Sequence, residues 1–338
     1  MVTASDILRL PYTPDLTEGG IAYACRSLPH TFDRMGGSPF ARMRRIVAGV
    51  AVELAFRRHL SHKGVPFDVK GATPFTDPDR YDVSLGGHRC DIKSFLITHR
   101  DQISGLHRDL GLLLEAPALV PLDQHASAGH SEQDLYLFAF LTGLVAASPA
   151  DLEKAIAAGR PVCLIHTFPR SWARPQAWAP LGPLALKFEG QAPLVVELGG
   201  QDAGRDFITC RVELQPRRRL EIAGGFYALA YAQIVSEGGV SARPARRLGV
   251  HSATAGETHI IEPVDWGNIW VYGMDILLAG WMTRGEFRSH ATLVREGARL
   301  FQYDRTRTKN LAVPVPDLRP LDDLFERVRQ WEQPRKGD

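Results

Sequence analysis

Residues 80–94 read Arg-Tyr-Asp-Val-Ser-Leu-Gly-Gly-His-Arg-Cys-Asp-Ile-Lys-Ser, and they constrain this chain more tightly than any other stretch. Two alternating segments flank Gly86-Gly87, the signature of a hairpin closed by a two-residue turn. Such a turn leaves one register. Leu85 faces His88, Ser84 faces Arg89, Val83 faces Cys90 and Asp82 faces Asp91. Lys93, two residues beyond Asp91, shares its face because side chains alternate along a strand. Like charges directly opposed across strands destabilise a hairpin. Two acids and a lysine on one face are therefore either a solvated hairpin surface or a site awaiting a compensating cation. Hard carboxylate oxygens suit Mg²⁺, which takes one or two carboxylates and keeps several waters.

The segment before the hairpin supplies another acid. Residues 41–62 read as a helix, with Ile46, Val47, Val50, Leu54 and Leu60 at helical spacing and Gly64 as a stop. Glu53 falls on its apolar face. A carboxylate there is costly unless paired or metal-bound. It either reaches Arg57 or Arg58 at the edge of the core or joins the hairpin acids.

Composition excludes several classes. Of 338 residues, 44% are hydrophobic and 23% charged, which rules out a mostly disordered chain. Cys25, Cys90, Cys163 and Cys210 form no CxxC pair, against a structural zinc site or a disulfide scaffold. No apolar run is long enough to span a membrane and no secretory signal is evident, so the expected compartment is the cytoplasm. A net charge of +2 identifies no partner by itself. Serine-hydrolase, P-loop and dinucleotide motifs are missing.

Strand-like runs at Val65–Phe75, Arg80–Leu85 and His88–Ile97 precede a helical stretch at 101–116, a loop at 117–133, a strand at Leu135–Leu144, a helix at Asp151–Ala158 and a strand at Val162–Thr167. This order predicts an α/β layer arrangement. Further strands are expected at Leu194–Gly199, Phe207–Leu214, His259–Val264 and Ile269–Leu277, with helices near Arg284–Gly297 and Pro320–Gln333. The predicted organisation is an arm at 1–40, an α/β domain at 41–168 and a strand-rich α+β half at 169–338. Leu135–Ala155 and Ile269–Ala291 share a faint strand–turn–helix likeness.

The series Gly49, Glu53, Leu60, Gly64, Asp82, Asp91, Ile92 and Lys93 resembles the PD-(D/E)xK nuclease superfamily, with its restriction-endonuclease-like fold. The likeness covers about 41–167. Tyr81 stands where the family's proline would precede Asp82, and the nearby Pro78-Asp79 pair is out of register with Asp91. The resemblance implies a mixed central sheet flanked by helices and Mg²⁺-dependent endonucleolytic cleavage of DNA, RNA remaining open. It further implies a role in restriction, defence or mobile-element processing. Mn²⁺ would substitute. Asp82, Asp91 and the Ile92 carbonyl would hold the ion, and Glu53 would bind it directly, through water or at a second ion. Lys93 would position the attacking water, and Gln102 is a candidate auxiliary group or a surface residue. A homodimer or a partner protein is compatible with the family.

Phosphate contacts are expected from Arg217, Arg218 and Arg219, from the cluster between Arg243 and Arg247, and from Arg305, Arg307 and Lys309, the last set beside Phe301 and Tyr303. The helix arginines Arg42, Arg44, Arg45, Arg57 and Arg58, with Lys63, are either a phosphate-binding or a solvated face. His59 and His62 read as surface residues and His166 as a hydrogen-bonded core histidine. The rival readings are a non-catalytic nucleic-acid-binding or scaffold module on the same fold, and a metal-dependent phosphatase.

Overall fold

In the computed structural model, Gly86 and Gly87 adopt φ values of +55° and +80°, the left-handed region that a two-residue hairpin of this kind requires. The pairing that results is Val83 with Cys90, Ser84 with Arg89 and Leu85 with His88, the register expected from the turn. The structure describes residues 1–27, 38–69, 82–127, 129–160, 162–235, 246–270 and 272–332. Expectations for Val65–Phe75 beyond residue 69, for Arg80 and Tyr81, for Pro78-Asp79 and for Arg243 lie outside them.

In chain order the elements are β1 (Leu8–Pro11), α1 (Pro14–Ser27), α2 (Pro39–His62), β2 (Val83–Leu85), β3 (His88–Ile97), α3 (Arg100–Arg108), β4 (Pro117–Pro121), α4 (Leu122–His125), β5 (Leu135–Leu144), α5 (Pro149–Ala157), β6 (Leu164–Thr167) and α6 (Arg170–Ala173). There follow β7 (Leu184–Phe188), β8 (Leu194–Gln201), β9 (Phe207–Leu214), β10 (Arg219–Ile222), β11 (Ala228–Val235), β12 (Leu248–Ser252), β13 (Glu257–Ile261), β14 (Gly267–Asn268), β15 (Tyr272–Thr283), α7 (Arg284–His290), β16 (Thr292–Val294), β17 (Asn310–Pro314) and α8 (Leu321–Trp331). The protein is thus mixed α/β. No helix among the described residues is long and apolar enough to cross a membrane.

The chain divides into two compact units assembled from interleaved segments. One unit comprises Met1–Leu16, Ala48–Leu144 and Gly273–Asp338, the other Thr17–Val47 and Val145–Tyr272. These do not coincide with the consecutive stretches 41–168 and 169–338 expected from the sequence. The reason lies in the central sheet of the first unit, ordered β1-β15-β5-β3-β2. Its strand β15 arrives from far along the chain. β5 is buried along nearly its whole length and pairs in parallel with β3, as a strand covered on both faces does. β15 is apolar enough to be buried beside it, and composition alone does not say which distant apolar run will be the neighbour.

The stretch 117–133, expected as a loop, holds β4 and α4 instead. β4 pairs with β17, so its partner is also remote in sequence. Behind β3 and β5 lies an aromatic core including Phe95, Phe138, Phe140 and Phe287. The second unit contains the sheets β10-β7-β12-β13 and β14-β6-β11-β8-β9.

The two turn glycines are not equivalent. A Cβ on Gly86 would sit 2.7 Å from the Trp331 ring, whereas a Cβ on Gly87 meets nothing within 4 Å. Left-handed backbone costs a side chain roughly 1–2 kcal/mol at either position, and the clash adds to it at Gly86 alone. Gly86→Ala should therefore destabilise the protein by about 1 kcal/mol more than Gly87→Ala, read from denaturant unfolding. Equal losses would show that Trp331 does not pack on the turn.

Candidate active site

Three of the residues singled out by the sequence meet at the head of β3. The Asp82 amide donates at 3.1 Å to the carbonyl of Cys90, the residue already paired with Val83, so the ladder departs at Asp82 from the expected pairing with Asp91, and the two acids are neighbours without being cross-strand partners. The Asp82 carboxylate Oδ2 accepts the Ile92 amide at 2.6 Å. Lys93 Nζ lies 2.5 Å from Asp91 Oδ2, with the two side chains only 12% and 30% exposed. The same ammonium donates to Gln124 Oε1 at 2.8 Å and sits 5.8 Å from the centre of the Tyr136 ring. Register explains the neighbours: Asp91 pairs with Tyr136 and Lys93 with Phe138 across the parallel ladder. One face of β3 therefore carries polar groups at its head and enters the aromatic core at Phe95 and Ile97.

The electrostatics follow from this crowding. Burial and the adjacent Asp91 charge push the Asp82 carboxyl up to about 7, against the Ile92 amide, Lys93 and Arg57, which favour its ionised form. A carboxylate held beside another in a poorly solvated place is the arrangement a bound cation relieves.

Glu53 lies on α2 as expected, but its carboxylate meets Arg57 Nη2 at 3.4 Å, and Arg57 Nη2 also donates to the Asp82 carbonyl at 2.6 Å. Arg57, one helical turn on, thus stands between Glu53 and the hairpin. Among the described residues no group of three or more His, Cys, Asp or Glu side chains is placed to hold a metal ion. Asp82 and Asp91 are thus brought together, and Glu53 is linked to them through the Arg57 guanidinium. Two hard, adjacent carboxylates still fit the requirements of Mg²⁺.

Gln102, the candidate auxiliary or surface residue, is half-buried. Gln102 donates to the Phe301 carbonyl at 2.5 Å, whereas Gln124 contacts Lys93. Nothing in the sequence marked Gln124, because it falls in the stretch expected as a loop. The Leu122 amide, which opens α4, donates to the Lys309 carbonyl at 3.1 Å. Buried Arg284 donates to the Tyr136 hydroxyl at 3.2 Å and to the His125 carbonyl, fixing the far end of α4. Gln124 is thereby held against Lys93 from both sides.

Of the basic candidates, Arg305, Arg307 and Lys309 are exposed in the same unit as Lys93, and Arg217, Arg218 and Arg219 are exposed in the other. Arg219 is paired with Glu221 at 2.9 Å. Phe301 and Tyr303 pack toward the core, Tyr303 edge-on to Phe95, so they are not free stacking platforms. On α2, Arg58 is engaged by Asp15, and burial holds Arg44 below its ordinary basicity. These side chains do not form an open cationic face. His59 is half-buried against Phe325 rather than a surface residue. His166 is bonded on both ring nitrogens, to the Asp265 carbonyl at 3.1 Å and to His259 at 2.8 Å.

Comparison with family models, with curated proteins and with solved structures gave no match to this chain.

The raised Asp82 value has a signed consequence. An acid whose folded pKa exceeds its unfolded value stabilises the fold below the unfolded value and loses that stabilisation as pH rises through the folded one. Between about pH 4 and pH 7 the metal-free protein should therefore lose stability. Asp82→Asn keeps an oxygen for the Ile92 amide and removes the charge. At pH 8 it should unfold later than the parent, by up to about 4 kcal/mol for a rise from an ordinary carboxylate value to about 7, the gap closing near pH 4. A variant no more stable at pH 8 would show that Asp82 carries no such penalty.

Proposed function

We propose that the protein is a metal-dependent endonuclease that hydrolyses phosphodiester bonds of DNA, of the PD-(D/E)xK kind. The observation that carries this reading is the meeting of Asp82, Asp91 and Lys93 at the head of one strand, with a carboxylate pair whose repulsion a divalent ion would relieve.

Asp82 and Asp91 are the residues that would hold Mg²⁺. The ion, when bound, would supply an acidified water and neutralise charge on the phosphate oxygens. Lys93, paired with Asp91 and aimed by Gln124, places a positive charge where negative charge grows on the phosphoryl group. Its contact with Asp91 also lets it orient a water beside the carboxylates. Arg57 holds the Asp82 backbone and keeps the head of the hairpin in place. Arg305, Arg307 and Lys309, on the loop that leads into β17 and touches the start of α4, are suited to the phosphate backbone and would position a strand without reading its sequence. A role in restriction, defence or mobile-element processing is consistent with this chemistry, as is dimerisation to cut both strands.

Incubation of the protein with supercoiled plasmid in Mg²⁺, Mn²⁺ or EDTA is the direct test. Nicking or linearisation is expected with either metal and not with chelator. Lys93→Ala and Asp91→Ala should each lower it by at least about a hundredfold while leaving DNA binding in place. Binding without cleavage, unchanged in both variants, would favour the non-catalytic module. Phosphate release from a small monoester without plasmid cleavage would favour a phosphatase.

The basic loop gives a separate expectation. Replacing Arg305, Arg307 and Lys309 together by Ala should weaken DNA binding across all sequences and reduce its salt dependence by roughly two to three phosphate contacts. An unchanged salt slope in a binding titration would remove the loop from the interface.

A further inference from the structure

The sheet β10-β7-β12-β13 of the second unit has one buried face and one open face. Leu184 and Leu186 of β7 and Leu248 and Val250 of β12 enter the apolar core. The alternate residues face outward and fall into two cross-strand rows. Arg219, Lys187, Gly249 and Ile260 form one, and Glu221, Ala185, His251 and Thr258 form the next. A groove of about 260 Å³ lies over them, with Gly249 and Ala185 in its lining.

Nothing within the sheet accounts for Gly249. A glycine inside a strand weakens it, and marks a bulge, a bend or the close approach of a ligand or another backbone. The ladders on both sides of Gly249 run without a bulge, and its backbone is not left-handed. A Cβ there would meet only the Lys187 carbonyl oxygen, at 3.9 Å, an ordinary contact. The missing side chain therefore leaves room for something that approaches from outside. On the flanking strands Lys187 and Ile260 stand about 10 Å apart, and Ile260 is 49% exposed. The slot between them is one residue wide.

One end of the groove is cationic. Arg219 and Lys187 are directly opposed across β10 and β7, which like charges make unfavourable. The acids nearby are already engaged: Glu221 by Arg219 at 2.9 Å, and Glu189 and Glu262 by Arg247 at 3.7 and 2.9 Å. Among the described residues Lys187, Arg217 and Arg218 are exposed and have no ion pair. The Arg217 amide donates to the Phe188 carbonyl at 2.9 Å, and the Glu189 amide to the Arg247 carbonyl at 3.1 Å. Two arginine-bearing stretches remote in sequence thus flank the end of β7.

The occupant must be anionic and narrow. A small inorganic anion would leave the slot and Ile260 unused. An acidic peptide carries amide and carbonyl groups that need partners, and it finds them at a sheet edge, whereas β7 and β12 beneath the groove are paired on both sides. A duplex is too broad to seat in a slot one residue wide. A single strand of nucleic acid brings phosphates for the cations and a flat base for the space over Gly249, between the Lys187 stem and Ile260. In the next row the His251 ring is bonded to Thr258 Oγ1 at 2.8 Å, which holds it as a fixed wall.

We infer that this groove binds a single strand of nucleic acid, its phosphates at Lys187, Arg217 and Arg218 and a base over Gly249. The inference goes beyond the nuclease reading and does not rest on it: the groove lies wholly in the second unit, and a binding module without hydrolysis would use it in the same way.

Fluorescence anisotropy of a labelled 12-nucleotide single strand, titrated with the full chain in EDTA, tests it. EDTA keeps cleavage out of the measurement, so failure of the nuclease reading and failure of this one are read separately. The strand should bind saturably and more tightly than a duplex of the same sequence. Gly249→Val should weaken it about tenfold or more without lowering the thermal unfolding midpoint, because a β-branched residue suits a strand and meets no clash there. Lys187→Ala with Arg218→Ala, both exposed positions, should lower the logarithmic salt slope by roughly 0.7 for each cation removed, and keeps the proposal falsifiable should Gly249→Val fail to fold. Absence of binding, binding unaltered in both variants, or a duplex bound as tightly as the strand would overturn the proposal. Displacement of the strand by polyglutamate at equal charge would overturn it as well, by showing a general polyanion surface.

Discussion

The hydrogen bond from the Ile92 amide to the Asp82 carboxylate ties the short first arm of the hairpin to the long second one. Without it, two aspartates brought to the same edge would repel and the open end of the turn would fray. The bond stabilises the ionised form of Asp82, yet burial and the Asp91 charge oppose it more strongly. The head of β3 is therefore a place where the fold holds unfavourable charge. Lys93 and Arg57 offset part of it, one through a carboxylate and the other through a backbone carbonyl. A site of this kind gains from a divalent ion in a way that a solvated surface hairpin does not.

The surroundings make that arrangement stiff. β3 is paired with β2 over its first three residues and with β5 from Cys90 to Ile97, so its backbone is held along its whole length. Behind Lys93 the face continues into Phe95, which packs on Phe140 with centroids 5.1 Å apart. In front, α4 is anchored at its start through Lys309 and at its end by Arg284. A lysine with four rotatable carbons would otherwise sample many positions. Held by Asp91, Gln124 and the Tyr136 ring, it has few, and less freedom is lost when a substrate arrives.

The second unit uses the period of two along a strand differently. One face of its β14-β6-β11-β8-β9 sheet is an ordinary core. The other keeps a carboxylate, a carboxamide and a phenol in register under a helix, with Gly199 making room for an aromatic ring. Burial holds the Tyr231 phenol far above its usual range, as do the neighbouring Cys25 thiol and Glu197 carboxylate. It therefore serves as a fixed hydrogen-bond donor and not as a titrating group.

What could be read from the amino-acid order was local. Gly86-Gly87 set the pairing of Val83, Ser84 and Leu85, because a two-residue turn leaves no freedom of register there, and this brought Asp82 near Asp91 although the ladder departs from that register at Asp82. The buried run Leu135–Leu144 and the strand Phe207–Leu214 were equally plain from their patterns. What depended on distant partners was not. β15 enters beside β5 from more than a hundred residues away, Gln124 reaches Lys93 from a stretch without a clear period, and Arg57 intercepts Glu53 because both lie on one helical face. Sequence spacing fixes which side of an element a residue occupies. Only the packed chain decides which apolar strand is its neighbour, and which of several nearby opposite charges a carboxylate meets.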